Sequence, residues 1–282
     1  MKKTIVFLFT LFVAFSLNAQ IKTPQPSPYS KTTQKVGLTD VTLEYSRPGA
    51  RGRTIFGDLV PFGKVWRTGA NANTKITFST SVAINGKTLK AGTYALYTIP
   101  NKNEWEIIFY SDSSNWGNPA KWDDSKVAAK AKVQAFQLPM KVETFTITFN
   151  DLTNDSATLG IIWENTYLNI KFEVPTHKTV MASINKTMSG KPTANDYYSA
   201  SVYFKESNGD VNKAVKWINK AVKLNGEKTP FWMYRQQSLI LAKSGNKKAA
   251  IAAAKKSLAG AKVAKNNDYI KMNTDSLKEW SN

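Results

Sequence analysis

The chain has 282 residues and a formal net charge of +19, with no cysteine and a single histidine, His177. Without cysteine there is no disulfide, no thiolate nucleophile, no cysteine-ligated zinc and no iron–sulfur cluster. A Ser-His-Asp triad would have to use His177, and a metal site would need mostly carboxylates. We interpret His177 as an exposed linker residue and predict no catalytic residue, no cofactor and no metal.

The first 19 residues have the pattern of a secretory signal peptide. Lys2-Lys3 forms a basic start, Thr4–Phe15 is an apolar run, and Ala19 supplies a small residue for cleavage. The run is shorter than the ~20 residues that a membrane-spanning helix needs, which argues against a membrane anchor. We therefore predict cleavage after Ala19, a periplasmic or secreted protein without a transmembrane segment, and an N-terminal linker over residues 20–33.

The two halves of the mature chain differ in charge. Residues 21–180 hold 19 basic and 13 acidic side chains, whereas residues 181–282 hold 18 and 7. Nucleic acid is one partner class for a basic chain, but predicted export and the lack of a base-reading motif argue against it. Anionic glycans, lipid headgroups or an acidic protein of the cell envelope fit better. The plainest interpretation of the lysines between Lys213 and Lys223 is a solvated helix face.

Residues 34–178 alternate in hydrophobicity, which predicts β-strands. Alternate residues of Val41–Tyr45 would share one face of a strand. Asn85-Gly86 between two short apolar runs is a strong hairpin signal, because both residues tolerate positive φ. About nine short strands joined by polar turns predict an antiparallel β-sandwich. One stretch, Asp124–Lys132, is interpreted as a helix packed on an edge.

From residue 179 to residue 282 the apolar side chains recur at helical spacing. The turn glycines Gly209 and Gly245 lie 36 residues apart, and this self-match resembles tetratricopeptide repeats. We expect an all-helical repeat domain with two hairpins and a terminal capping helix over Asp268–Trp280. Repeats of this kind offer concave surfaces that bind extended peptides, which predicts a protein partner. The small residues expected where helices pack are Ala200, Ala214, Ala221, Ser238, Ala250 and Ser257.

Several short motifs of the β-region are similar to one known family. In chain order they are Tyr45-Ser46-Arg47-Pro48, Gly52-Arg53, Leu59-Val60-Pro61-Phe62-Gly63, Val65-Trp66-Arg67-Thr68-Gly69-Ala70-Asn71, Ala91-Gly92-Thr93-Tyr94 and Trp116-Gly117. Over roughly residues 27–175 they resemble the exported bacterial domain-of-unknown-function family 2911. The resemblance implies an exported β-domain that is often followed by helical repeats, and it implies no activity.

The segment Tyr45–Asn71 carries the candidate binding residues. Arginine suits planar, bidentate recognition of carboxylate or phosphate, and loops on a rigid sheet often carry binding sites. Three arginines could converge on an anionic or sugar ligand, with neighbouring aromatic and amide side chains shaping the pocket. The alternative is that these arginines clamp a long loop through backbone carbonyls and carboxylates. The candidates are Arg47, Arg53, Arg67, Tyr45, Trp66 and Asn71, whereas Trp116 is assigned to the core.

Three classes of function remain open. The leading one is a non-catalytic binding module, in which the β-domain holds an anionic or glycan ligand and the repeats recruit a protein. The second is a structural envelope protein with no ligand. The third is a carboxylate-dependent glycan hydrolase, which needs two acidic residues at a fixed separation of ~5–5.5 or ~6.5–9.5 Å. The acids to consider are Glu44, Asp58, Glu143 and Glu164.

Overall fold

The computed structural model describes residues 23–281 and contains a β-part followed by a helical part. The predicted signal peptide and the first residues of the predicted linker lie outside the described residues. The strands are β1 Tyr29–Val36, β2 Thr39–Ser46, β3 Ala70–Phe78, β4 Val82–Ile84, β5 Lys87–Leu89, β6 Gly92–Ile99, β7 Glu104–Tyr110, β8 Val127–Asn150 and β9 Ser156–Glu173. The helices are α1 Thr176–Met188, α2 Ala194–Glu206, α3 Val211–Asn225, α4 Phe231–Lys243, α5 Lys247–Val263 and α6 Asn267–Ser281.

The β-part is a single antiparallel system with strand order β1-β2-β3-β6-β7-β8-β9-β4-β5. Strand β8 is long enough to belong to both halves, because its first residues pair with β7 and its later residues pair with β9. The two halves enclose one apolar core, which includes Leu43, Ile76, Trp105, Phe145 and Trp163. The predictions of an antiparallel β-domain with about nine strands and of a following all-helical domain are confirmed.

The prediction of a helix over Asp124–Lys132 is wrong. One short 3₁₀ turn is followed directly by β8. Ala129 and Ala131 point into the core, and between them Lys130 pairs with Glu106 of β7 at 2.9 Å. Alanine and lysine favour helix locally, but pairing with β7 and burial of alternate residues override that weak preference.

The helical part is a chain of antiparallel neighbours, in which α2 packs on α3, α4 on α5, and α6 on α5. Polar side chains start the helices: Thr193 forms a capping box with Asp196 on α2, while Asp210 and Asn246 cap α3 and α5. The two latter caps lie 36 positions apart, which matches the period expected from the sequence. Between residues 23 and 281, no helix is long and apolar enough to cross a membrane.

The junction between the two parts is held by a few polar contacts. The backbone N–H of Leu38, in the β1–β2 turn, donates to the Thr176 hydroxyl at 3.3 Å. The backbone N–H of His177 donates to Asp155 at 2.9 Å, and its ring Nδ1 lies 3.1 Å from the Tyr203 hydroxyl. His177 is exposed and sits in the first turn of α1, so it belongs to this junction and to neither cavity described below.

Candidate functional site

The arginines lie in the long loop between β2 and β3. The middle of this loop is a tight turn, in which the Gly57 N–H donates to Val60 O at 2.9 Å and the Val60 N–H donates to Ile55 O at 2.8 Å. Gly57 has a φ of 94°, and a Cβ there would lie 2.7 Å from the ring of Phe62. Glycine is therefore required at this position, both for backbone conformation and for the close approach of the ring.

A group of aromatic side chains supports the loop from below. Trp66 stacks on Trp163 with ring centroids 5.9 Å apart and an interplanar angle of 16°. Phe56 meets Trp105 edge to face at 4.7 Å. The indole N–H groups of Trp66 and Trp163 donate to the carbonyl oxygens of Gly69 and Glu143, each at 3.1 Å. These pairs combine a large buried apolar area with fixed geometry, so they give the loop a rigid base.

Three arginines from this loop face one cavity of about 360 Å³, which we call the arginine cavity. Arg51, Arg53 and Arg67 line it, and Trp66 and Trp163 form its aromatic base. Among the residues that the structure describes, the lining contains no aspartate or glutamate. The cavity is therefore a cationic site in which the guanidinium groups have no carboxylate neighbour within the lining.

Arg67 is the most enclosed of the three arginines. Its Nε is buried and has no hydrogen-bond partner among residues 23–281. Its Nη1 lies 3.7 Å from the position that a Cβ on Gly117 would occupy, so the guanidinium passes close beside the β7–β8 loop. A buried donor without an acceptor costs ~1–3 kcal/mol. An anionic ligand or water in the cavity would supply the missing acceptor.

Of the eight non-glycine residues with positive φ in the described chain, three lie around the same loop. Arg51, Thr68 and Asn71 all have positive φ, at 52°, 56° and 59°, although none is a glycine. Thr68 is fully buried, and its hydroxyl donates to Thr98 at 3.1 Å, which holds this conformation in place. Left-handed non-glycine residues cost of order 1–3 kcal/mol and cluster at binding and catalytic sites. The strain therefore points to this loop as a functional region.

Arg53 and Arg51 also have internal partners. Arg53 donates to the carbonyl oxygens of Ala50 at 2.9 Å and Gly49 at 2.7 Å, and Arg51 donates from Nη2 to Pro26 O at 2.8 Å. These bonds use only some of the five N–H groups of each guanidinium. Both side chains are exposed, so their remaining donors are accessible to a ligand.

The other three candidates from the sequence lie outside the arginine cavity. Arg47 donates to Phe145 O at 3.1 Å and to the Thr146 hydroxyl at 2.8 Å, which ties the end of β2 to β8. The buried Tyr45 hydroxyl bonds both backbone groups of Ile147. The Asn71 amide donates to Ser27 O and to the Ser46 hydroxyl, each at 3.2 Å. The structure thus brings together Arg53, Arg67 and Trp66, but not Arg47, Tyr45 or Asn71.

Sequence reasoning missed two side chains of the cavity. Arg51 belongs to the Arg-rich segment but was not among the named candidates. Its position two residues before the candidate Arg53, in the same predicted loop, is the signal that could have identified it. Trp163 lies on β9, about 100 residues along the chain from the loop. The alternation of apolar residues around it predicts a core strand and nothing more. Nothing in the local sequence shows that it stacks on Trp66.

The prediction that Trp116 belongs to the core is wrong, since its side chain is 74% exposed. The next residue, Gly117, is buried, and its carbonyl oxygen accepts a hydrogen bond from the Tyr97 hydroxyl at 3.2 Å. The glycine thus anchors the β7–β8 loop while the indole turns outward. Because Gly117 lies against Arg67, this exposed tryptophan is next to the loop segment that flanks the arginine cavity.

Two of the acidic residues near the loop, Glu143 and Glu164, have structural partners. Glu143 accepts the Arg51 backbone N–H at 2.9 Å, and Glu164 accepts the Ile55 backbone N–H at 3.1 Å. On the paired strands β1 and β2, the Tyr29 hydroxyl donates to Glu44, and this bond lowers the pKa of the Glu44 carboxyl. Within residues 23–281 no group of three or more histidine, cysteine or acidic side chains could hold a metal ion.

Comparison with known proteins identifies one family. A family model described as "Protein of unknown function (DUF2911)" matches residues 27–172, which is just over half of the chain and nearly all of the β-part. No curated protein and no solved structure matches the chain.

Proposed function

The chain belongs to the DUF2911 family, and we propose that its β-domain is a non-catalytic module that binds an anionic group in the arginine cavity. One observation carries the proposal: Arg51, Arg53 and Arg67 face the same space, and its described lining holds no carboxylate. The buried, unpaired Nε of Arg67 adds a donor that needs an acceptor.

The geometry favours a carboxylate, sulfate or phosphate group as ligand. Guanidinium groups present parallel N–H donors that match two oxygens of such a group, and these charge-assisted bonds are about twice as strong as neutral ones. At the base, Trp66 is 9% exposed and leaves a small apolar surface for a part of the ligand such as a sugar ring, while Trp163, 2% exposed, stacks on Trp66. An acidic glycan combines both features.

The positions of the acidic residues favour binding without catalysis. A carboxylate-dependent hydrolase needs two acids that face the substrate, but the described lining of the arginine cavity has none. Glu143 and Glu164 are engaged with backbone N–H groups of the loop. We therefore favour a binding module over a glycan hydrolase.

A purely structural role is the second candidate, and a specific observation favours it. Arg47, Arg51 and Arg53 all donate to backbone carbonyl oxygens and so help to hold the loop. Arg67 is the residue that separates the two hypotheses, because it lines the cavity without any such partner within the described chain.

We propose further that the mature protein is exported to the periplasm or beyond, with the helices acting as tetratricopeptide-like repeats that bind a protein. The start of the sequence supports export, and the helical packing supports the repeats. The small residues expected at helix contacts are all buried: Ala200, Ala214, Ala221, Ser238, Ala250 and Ser257. Lys213, Lys216, Lys220 and Lys223 are exposed on α3 and would favour an acidic partner.

The test is a binding titration of the mature protein with inorganic phosphate, sulfate and a uronic-acid oligosaccharide. We expect the thermal midpoint to rise with at least one of these anions, because a ligand that binds only the folded state stabilises it. Arg67→Met should abolish the rise, whereas Lys223→Ala, which removes a distant exposed charge, should leave it unchanged. Equal responses of the two variants would mean that the anions act through general electrostatics and would contradict the proposal.

A further inference from the structure

A second cavity, of about 190 Å³, lies on the other side of the loop turn from the arginine cavity. We call it the amide cavity. It is formed where the loop, the β6–β7 turn and the paired strands β8 and β9 meet. Its lining consists of Phe56, Phe62, Asn101, Lys102, Trp105, Gln137, Glu164, Asn165 and Thr166. None of these residues lines the arginine cavity.

The most informative side chain of this cavity is Trp105. It is only 1% exposed and packs edge to face against Phe56, yet no residue in the described chain accepts a hydrogen bond from its indole N–H. Tryptophan that is buried normally pairs this group, and here the indole nitrogen is not one of the fully buried atoms that lack a partner in the described chain, so it keeps access to open space. Because Trp105 lines the amide cavity, the cavity is where that N–H can be satisfied.

Other polar groups also line the cavity. Asn101 and Gln137 are exposed, so their amides face solvent at its rim, while Thr166 is 9% exposed and places its hydroxyl in the lining. Asn165 uses its amide nitrogen to donate to Leu138 O at 3.2 Å, which leaves its side-chain oxygen available. The cavity therefore offers both donors and acceptors from several directions.

One wall of the cavity is an aromatic face. Phe62 is 42% exposed, and its ring lies over Gly57, where a Cβ would come within 2.7 Å of the ring carbon Cε2. A large exposed ring at the edge of a cavity offers apolar surface that a ligand can cover.

Charge on the lining is balanced. Lys102 and Glu164 are its only charged members among the described residues. Glu164 has a φ of 53°, and its carboxylate accepts the Ile55 N–H at 3.1 Å while lying 3.8 Å from Lys141. The carboxylate thus fixes the loop beside the cavity. A cavity of this composition does not select for a net charge on its ligand.

We propose that the amide cavity binds an uncharged sugar ring of a glycan. Such a ring carries hydroxyl groups that both donate and accept, together with apolar C–H faces that pack on aromatic rings. The indole, amide and hydroxyl groups match the first feature, and Phe62 matches the second. This site uses different residues from the arginine cavity, so it stands whether or not that cavity binds anions.

The experiment is a calorimetric titration of the mature protein with three neutral trisaccharides: cellotriose, maltotriose and chitotriose. We expect at least one of them to bind. Gln137→Ala should weaken that binding about fivefold, the factor that corresponds to one net hydrogen bond of about 1 kcal/mol. Phe62→Ala should weaken it about tenfold through loss of the apolar contact.

Matched variants separate this site from its surroundings. Phe136→Ala removes another exposed phenylalanine, 53% exposed and outside the cavity, and should leave binding unchanged. Arg67→Met, which alters only the arginine cavity, should also leave it unchanged. Trp105→Phe removes the indole N–H and so tests its contribution directly. If this core variant does not fold, the variants at the exposed positions Phe62 and Gln137 still test the proposal. Absence of binding by all three sugars, or equal losses in Phe62→Ala and Phe136→Ala, would overturn the proposal.

Discussion

We expect replacement of Arg47 and of Arg67, two arginines of the same loop, to affect the stability of the protein differently. Arg47 donates to Phe145 O and to the Thr146 hydroxyl, and so joins β2 to β8. Arg67 lines the arginine cavity, and its Nε has no partner among the described residues. Replacing each by methionine keeps much of the apolar stem and removes the guanidinium group. The pair of variants therefore compares a paired guanidinium with an unpaired one.

The expected loss for Arg47→Met follows from its two hydrogen bonds. Hydrogen bonds to charged groups contribute ~1.5–3 kcal/mol each at most, and the partly exposed position of Arg47 reduces this, so we expect a total of about 2 kcal/mol. For a domain of this size, about 1 kcal/mol shifts the midpoint by ~2–4 °C, which predicts a drop of about 6 °C. Arg67→Met should change the midpoint by less than about 2 °C, or raise it, because functional groups are often held at a cost to stability.

The assay is differential scanning calorimetry of the mature protein and both variants. The helical part is followed separately by far-ultraviolet circular dichroism, so that the transition of the β-domain can be identified. A fall for Arg67→Met as large as that for Arg47→Met would refute the reasoning. It would show that Arg67 supports the fold, and the structural hypothesis would then replace the binding hypothesis.

Two further predictions concern the β-domain. The Tyr29 hydroxyl holds the pKa of Glu44 below its ordinary value of 4.5. The stability that this bond contributes is therefore fully present above pH 4.5 and is lost as the pH falls through the lowered pKa. Tyr29→Phe should raise the Glu44 pKa in a carboxyl NMR titration, and an unchanged pKa would exclude the bond. Gly57→Ala should lower the free energy of unfolding by ~1–3 kcal/mol because Gly57 has a positive φ. In urea titrations of both variants, this loss should be larger than the loss caused by Gly63→Ala. Gly63 also has positive φ but has open space around it, whereas a methyl group on Gly57 meets Phe62. Equal losses in the two variants would contradict the role of that contact.

The sequence by itself determined the class of each part of the protein. Alternation in segments such as Val41–Tyr45 and Phe145–Phe149 requires one buried and one outward face, which only a strand provides. Regular spacing around Ala214 and Ala250 likewise requires helices that pack through small residues. These patterns are local, so they are readable without knowledge of the fold. The 36-residue interval between the caps Asp210 and Asn246 is a repeat in the sequence itself, so it too is readable without the fold.

Tertiary structure decided the path of the loop and therefore the site. Arg47 and Arg67 look equivalent in sequence, but the distant strand β8 offers acceptors only to Arg47. Trp66 becomes the base of a cavity because Trp163, about 100 residues later, stacks on it. Most of the stretch Asp124–Lys132, from Val127 onward, became a strand because β7 supplied hydrogen bonds and ion pairs that local helix preference could not match. In each case the deciding partner is remote along the chain, and its energy is invisible to a local pattern.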